Sequence, residues 1–254
     1  MLGLGASFFL TALLYACVGF GGGSTYNALL VLGGTDYRII PTLSLICNII
    51  VVSGGVWHFY RAKYLNIKLL VPWLVTSIPA SFIGGLIPVP ERIFTGLLGI
   101  TLFLAGLYLI VSVFFKRFGQ QIRAFKPYSF FTAASLGGIL GLLAGITGIG
   151  GGIFLAPILH FSRWGSEKQI AGGCAFFILV NSVAGLIGQF LKVDLQEIGP
   201  VLLPYWILLP AVLVGGQIGS WLGSVKIHPN IIRVGTGALI LYVAFRLVRK
   251  FMQY

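Results

Sequence analysis

The sequence predicts an all-α polytopic membrane protein, with about eight transmembrane segments forming two pseudo-symmetric four-segment repeats whose first helices are broken by glycine. Three observations carry this reading. The chain of 254 residues is 57% hydrophobic and only 9% charged, far below the roughly 25% charge of a soluble domain, and its mean hydropathy is +1.00. Uncharged runs over 69–90, 93–115 and 170–191 each supply about the 20 residues that a helix needs to cross a ~30 Å hydrocarbon core. Glycine triplets recur in corresponding places of the two halves.

Apolar runs between charged or turn-rich breaks fall at 3–33, 38–59, 69–89, 93–115, 128–161, 169–191, 199–223 and 231–248. The first and fifth are too long for one straight span: residues 128–161 as a helix would reach ~50 Å. Both contain a glycine run that interrupts them. No basic region or small-residue cleavage site accompanies the first segment, so a removable leader is not predicted. Cys17, Cys47 and Cys174 all lie inside apolar segments, which argues against a disulfide framework.

The net charge of +12 would suggest nucleic acid in a soluble protein. Here the basic residues sit mostly in short loops, where the positive-inside rule accounts for them, and no nucleic-acid partner is expected. If every segment crosses once, Arg61, Lys63, Lys68, Lys116, Arg117, Arg123, Lys126, Lys192, Arg246, Arg249 and Lys250 share one side. Arg38, Arg92, Arg163, Lys168, Lys226 and Arg233 share the other. Both termini then belong in the cytoplasm. If segments one and five return to their own side instead, the count is again eleven to six, and the two halves are inverted. Charge alone leaves both topologies open.

The halves match in order along the chain. Gly19-Phe20-Gly21-Gly22-Gly23 corresponds to Gly148-Ile149-Gly150-Gly151-Gly152, and Pro79, Ala80, Gly84 and Gly85 to Pro210, Ala211, Gly215 and Gly216. Asn48 and Asn181 fall near one another in this alignment. The implied units are residues 1–118 and 127–254, joined by a basic linker over 119–126. Paired glycine interruptions in two related halves are the strongest sequence pointer to a transporter's binding site.

Irregular backbone at membrane depth is tolerable only where protein or a wet cavity surrounds it. A helix restarting after such a break presents outward N–H groups with roughly half a positive charge, an anion site that needs no cationic side chain. The substrate-binding candidates are Gly21, Gly22, Gly23 and Ser24 in the first break, Thr147, Gly150, Gly151 and Gly152 in the second, and Ser44, Asn48 and Asn181 on the helices that follow. The competing reading is structural. Small residues let membrane helices approach, as Gly137, Gly138, Gly141 and Gly145 suggest, and buried amides can act as interhelical glue. All five acids, Asp36, Glu91, Glu167, Asp194 and Glu197, lie in or beside loops, so a carrier built on intramembrane carboxylates has nothing to use. No phosphate-binding loop and no metal-ligand spacing occurs, and neither a cofactor nor a catalytic residue is expected.

At these residues the chain resembles the TauE/SafE family of membrane permeases. Gly150-Gly151-Gly152-Ile153-Phe154-Leu155-Ala156-Pro157 matches that family's glycine run followed by proline, and the first copy, Gly21-Gly22-Gly23-Ser24-Thr25-Tyr26-Asn27-Ala28, lacks the proline. Pro41-Thr42-Leu43-Ser44-Leu45 is a loose match to the family's second helix. The resemblance implies a secondary permease of the plasma membrane that moves a small anion, such as sulfite or an organosulfonate, with export the expected direction. Another organic acid, a neutral metabolite, or a non-transporting membrane assembly partner are the alternatives. Besides the lipid bilayer, a second copy of the chain in a homodimer is an allowed partner.

Overall fold

The computed structural model describes residues 2–115, 128–162, 164–192, 195–225 and 229–252. The anticipated linker over 119–126, with Arg123 and Lys126, lies outside these residues, as does Asp194, so the boundary between the two units does too. Within them the chain is helical: α1 (Leu2–Ala16), α2 (Gly23–Leu32), α3 (Ile40–Arg61), α4 (Ile67–Leu86), α5 (Glu91–Phe115), α6 (Phe130–Thr147), α7 (Gly152–Phe161), α8 (Glu167–Lys192), α9 (Leu195–Leu202), a 3₁₀ turn at Leu203–Tyr205, α10 (Leu208–Val225) and α11 (Pro229–Phe251). Five of these, α3, α4, α5, α6 and α8, are long and apolar enough to cross a membrane; a sixth span results if the pair over 199–223, bent by 50°, counts as one.

The surface is apolar, unlike that of a soluble domain, and the largely apolar interior encloses a set of polar side chains. Phe131, Phe161, Leu203, Ile100, Leu104 and Phe245 are among the large apolar side chains left exposed. No soluble domain leaves so many such groups in water; in lipid they meet hydrocarbon. Buried inside are Thr25, Asn27, Ser44, Asn48, Ser81, Asn181, Ser182 and Gln189.

Glycine sets the closest helix crossings. A methyl group on Gly137, Gly141 or Gly145 of α6 would meet the backbone carbonyl of Trp73, Ser77 or Ser81 of α4. The same relation holds between Gly215, Gly219 and Gly223 of α10 and Phe9, Leu13 and Cys17 of the first segment. One small residue per turn on one face lets two backbones touch, the expected packing use of these glycines.

These contacts also fix relative direction. Residue numbers rise together along both pairs, so α6 runs with α4 and α1 runs with α10. Val51 against Gly216 and Gly55 against Ser220 set α3 along α10 in the same sense; Ser81 against Gly185 and Leu86 against Gly188 do so for α4 and α8. Phe59 against Gly172 and Gly55 against Ala175 run α3 and α8 in opposite senses. Gly96 against Phe251 and Gly106 against Leu241 do the same for α5 and α11.

The broken segment must therefore double back. α1 and α3 both run with α10, so α2 carries the chain back to the end from which α1 started. The side chains agree: Tyr15 reaches Thr25 at 2.6 Å, and Phe8, two turns earlier, stacks on Tyr26 with centroids 4.5 Å apart. α6 and α8 stand in the same relation, with α7 as the returning arm.

Candidate functional site

Gly22 and Gly151 cap the returning helices with φ of 93° and 79°, in the left-handed region that only glycine enters freely. Gly148, at φ 73°, ends α6 in the same conformation. Both breaks are buried. Thr25 and Tyr26 donate to the Gly22 carbonyl at 3.0 Å, and Phe154 and Leu155 to the Gly151 carbonyl at 3.1 and 3.2 Å. The N–H groups just ahead of them have no backbone acceptor among the described residues: those of Gly21, Gly22, Gly23 and Ser24, and of Gly150, Gly151, Gly152 and Ile153. Two helix N-termini therefore bring unused donors, each with the positive end of its dipole, into the protein interior.

The breaks touch each other. A methyl group on Gly23 would lie 3.0 Å from the Ile149 carbonyl oxygen. Asn48 fills the junction. Its side chain would overlap any β-carbon at Gly21 or Gly23, while its amide donates to the carbonyls of Gly148 at 3.3 Å and Ile149 at 3.1 Å. Eight residues into α3, Asn48 lies about 12 Å from that helix's start, at membrane depth. Ser44, one turn earlier, donates to the Gly23 carbonyl at 3.1 Å. From the first returning helix, Asn27 donates to the Thr147 carbonyl of the second break.

Gly21, Gly22, Gly23, Ser44, Asn48, Thr147, Gly150, Gly151 and Gly152 thus come together at one junction. The Thr147 hydroxyl is occupied by the Leu143 carbonyl at 2.6 Å, so its backbone carbonyl makes the connection. Ser24 turns toward the Tyr15 hydroxyl at 3.3 Å.

Asn181 makes contacts of its own, and its side-chain oxygen, like that of Asn48, is buried and unpartnered among the described residues. Its amide donates to Phe177 of its own helix at 2.8 Å, and its backbone carbonyl accepts from Ser81 of α4 at 2.8 Å. The counterpart of Asn48 in space is Ile178, which lies where a β-carbon on Gly152 would go. Asn181 lies three residues, nearly one turn or about 4.5 Å, further along α8 than Ile178, and the alignment of the two halves drifts by about that amount.

Sequence reasoning missed Asn27, Ser182 and Tyr26. The Ser182 hydroxyl would lie 2.9 Å from a methyl group on Gly150, and the Tyr26 hydroxyl 2.8 Å from one on Gly22. The signal was available for Asn27, an amide one turn into the returning helix, directly ahead of its apolar stretch Ala28-Leu29-Leu30-Val31-Leu32. No group of three or more His, Cys, Asp or Glu able to hold a metal occurs among the described residues.

An apolar exterior, buried polar side chains around paired helix breaks, and the placing of those breaks at membrane depth are the construction of a polytopic membrane carrier. The model of the family described as "Sulfite exporter TauE/SafE" matches residues 4–247, and the chain belongs to that family. It is 32% identical to the probable membrane transporter protein y4hK of Sinorhizobium fredii, over 97% of this chain and 98% of that one. It is 25% identical to the probable membrane transporter protein YjnA of Bacillus subtilis, over 92% and 94%. A third relative, the probable membrane transporter protein MJ0441 of Methanocaldococcus jannaschii, is 22% identical over 91% and 89%. No solved structure matches the chain.

Proposed function

We propose that this chain is a secondary permease, not an enzyme, that carries a small anion outward across the plasma membrane, a sulfur oxyanion such as sulfite or an organosulfonate being the favoured cargo. One observation carries the reading: two helix N-termini with unused backbone donors meet at Asn48 in the buried interior. The dipoles supply positive potential without a formal charge to desolvate, which suits an anion that must also leave. The family's description supplies the sulfur chemistry.

The packing supports an inverted repeat. Exchanging α1 with α6, α2 with α7, α3 with α8, α4 with α10 and α5 with α11 turns the α1–α10 contact into α6–α4, and α3–α10 into α8–α4; all four are extensive. The antiparallel pairs α3–α8 and α5–α11 map onto themselves. In this reading the segments over 3–33 and 128–161 are re-entrant, and the halves 1–118 and 127–254 face the membrane from opposite sides. The basic-rich side then carries Arg61, Lys63, Lys68, Lys116, Arg117, Arg123, Lys126, Arg163, Lys168, Lys226 and Arg233. That side is cytoplasmic, and both termini lie outside.

Moving one negative charge outward down an inside-negative potential gains ~2.3 kcal/mol per 100 mV, so export needs neither ATP nor a buried carboxylate. The test is efflux from proteoliposomes loaded with sulfite or a sulfonate at a clamped potential. Flux above that of protein-free vesicles, and faster when the compartment holding the anion is negative, is expected. No protein-dependent flux of any oxyanion would sink the proposal. Since no cationic side chain stands at the breaks among the described residues, a neutral metabolite is the second reading; its flux would ignore the clamp.

A further inference from the structure

We propose that the species held between the breaks is a monoprotonated oxyanion, one that brings an O–H donor together with its acceptor oxygens. This rests on the anion-permease reading above and narrows its cargo. The unused N–H groups ask for acceptors, yet the junction also contains acceptors with no donor among the described residues.

Asn48 cannot turn its amide over. Its nitrogen faces two carbonyl oxygens, those of Gly148 and Ile149, and reversal would set three oxygens against one another. Its oxygen is therefore held toward Gly21, on a residue 0% exposed, with no donor among the described residues. Asn27 repeats the arrangement: its nitrogen is committed to Thr147, and its oxygen is buried and unpartnered. The hydroxyl of Ser182, beside Gly150, is also buried and unpartnered; it can accept from a ligand O–H while donating to a ligand oxygen, a double contact that a ligand without an O–H cannot complete.

A buried acceptor left without a donor is destabilising, because its lost hydration is not replaced. A ligand made only of acceptors, such as a sulfonate or a dianion, would satisfy the N–H groups while setting its lone pairs against the Asn48 oxygen. One hydroxyl on the ligand resolves that conflict. A monoprotonated oxyanion also carries a single charge, the lesser load to desolvate at membrane depth.

On α1, α2, α3 and α8 the ionisable groups near the junction are Tyr15, Tyr26, Cys47 and Cys174, phenols and thiols with ordinary values of about 10 and about 8.5. His58, Arg61, His160, Glu167, Lys168 and Lys192 stand at helix ends. With His58→Gln and His160→Gln in place, a pH dependence between about 6 and about 7.5 reports the ligand.

The experiment compares sulfite, whose second proton leaves near neutrality, with methanesulfonate, a monoanion with no O–H, in proteoliposomes at equal pH on both sides. Protein-free vesicles are subtracted at each pH. Sulfite flux per total sulfite should fall as pH rises through its second ionisation, and methanesulfonate should move slowly at every pH. Ser182→Ala removes a hydroxyl with no structural partner. It should lower the preference for sulfite by about fivefold, the worth of one hydrogen bond, without lowering thermal stability. Equal flux of both anions, independent of pH, would overturn the inference and leave the permease intact. Flux of neither anion would overturn both.

Discussion

At the scale of single residues, Asn48 does the most. It holds the second break to the first through two buried carbonyls, so Asn48→Ala leaves those of Gly148 and Ile149 without donors. A loss of roughly 2–4 kcal/mol is expected, read as a lowered unfolding temperature in detergent. Gly21→Ala and Gly23→Ala probe the same spot differently, since a methyl group at either place overlaps the Asn48 side chain. Flux should fall at least about tenfold with membrane insertion unchanged; wild-type flux in both variants would remove the junction from the mechanism. Gly151→Val is a poorer probe, because its left-handed φ of 79° makes the variant strained whatever the ligand.

At the scale of elements, glycine does two separable jobs. In the breaks it permits a backbone that other residues resist. Along α6 it permits contact with α4. The second job has an internal control, because Gly138 sits beside the ladder with space to spare: a methyl group there would have the Thr76 β-carbon as its nearest neighbour, at 3.6 Å. Gly138→Ala should be neutral within about 0.5 kcal/mol. Gly141→Ala, pressed onto the Ser77 backbone, should cost at least about 1–3 kcal/mol by forcing the helices apart. Thermal unfolding of the two variants side by side checks the pair.

At the scale of the whole molecule, helix direction favours the returning first segment proposed above, which charge alone leaves open. With the native cysteines replaced, single cysteines at Leu2, Arg38 and Ala62, all exposed, give the test. An impermeant thiol reagent should reach Leu2→Cys and Arg38→Cys from the same face, and Ala62→Cys from the opposite one. If the first segment crosses once, Leu2→Cys and Arg38→Cys label from opposite faces instead.

Composition and apolar run length determined by themselves that this is a helical membrane protein, because the bilayer sets a length and a polarity that any span must meet. The glycine triplets were legible for a related reason: three consecutive glycines at membrane depth are hard to sustain within a helix and mark where one stops. Direction was not legible, since a returning hairpin and a crossing helix have the same hydropathy; only the glycine ladders of α6 on α4 and α10 on α1, and the contacts of α3 and α4, decide it. The partnership of Asn48 with the second break, and the contact of Asn181 with Ser81, also belong to tertiary structure. Both depend on which face of a helix meets which carbonyl across 100 residues of chain, a relation that spacing along the sequence does not encode.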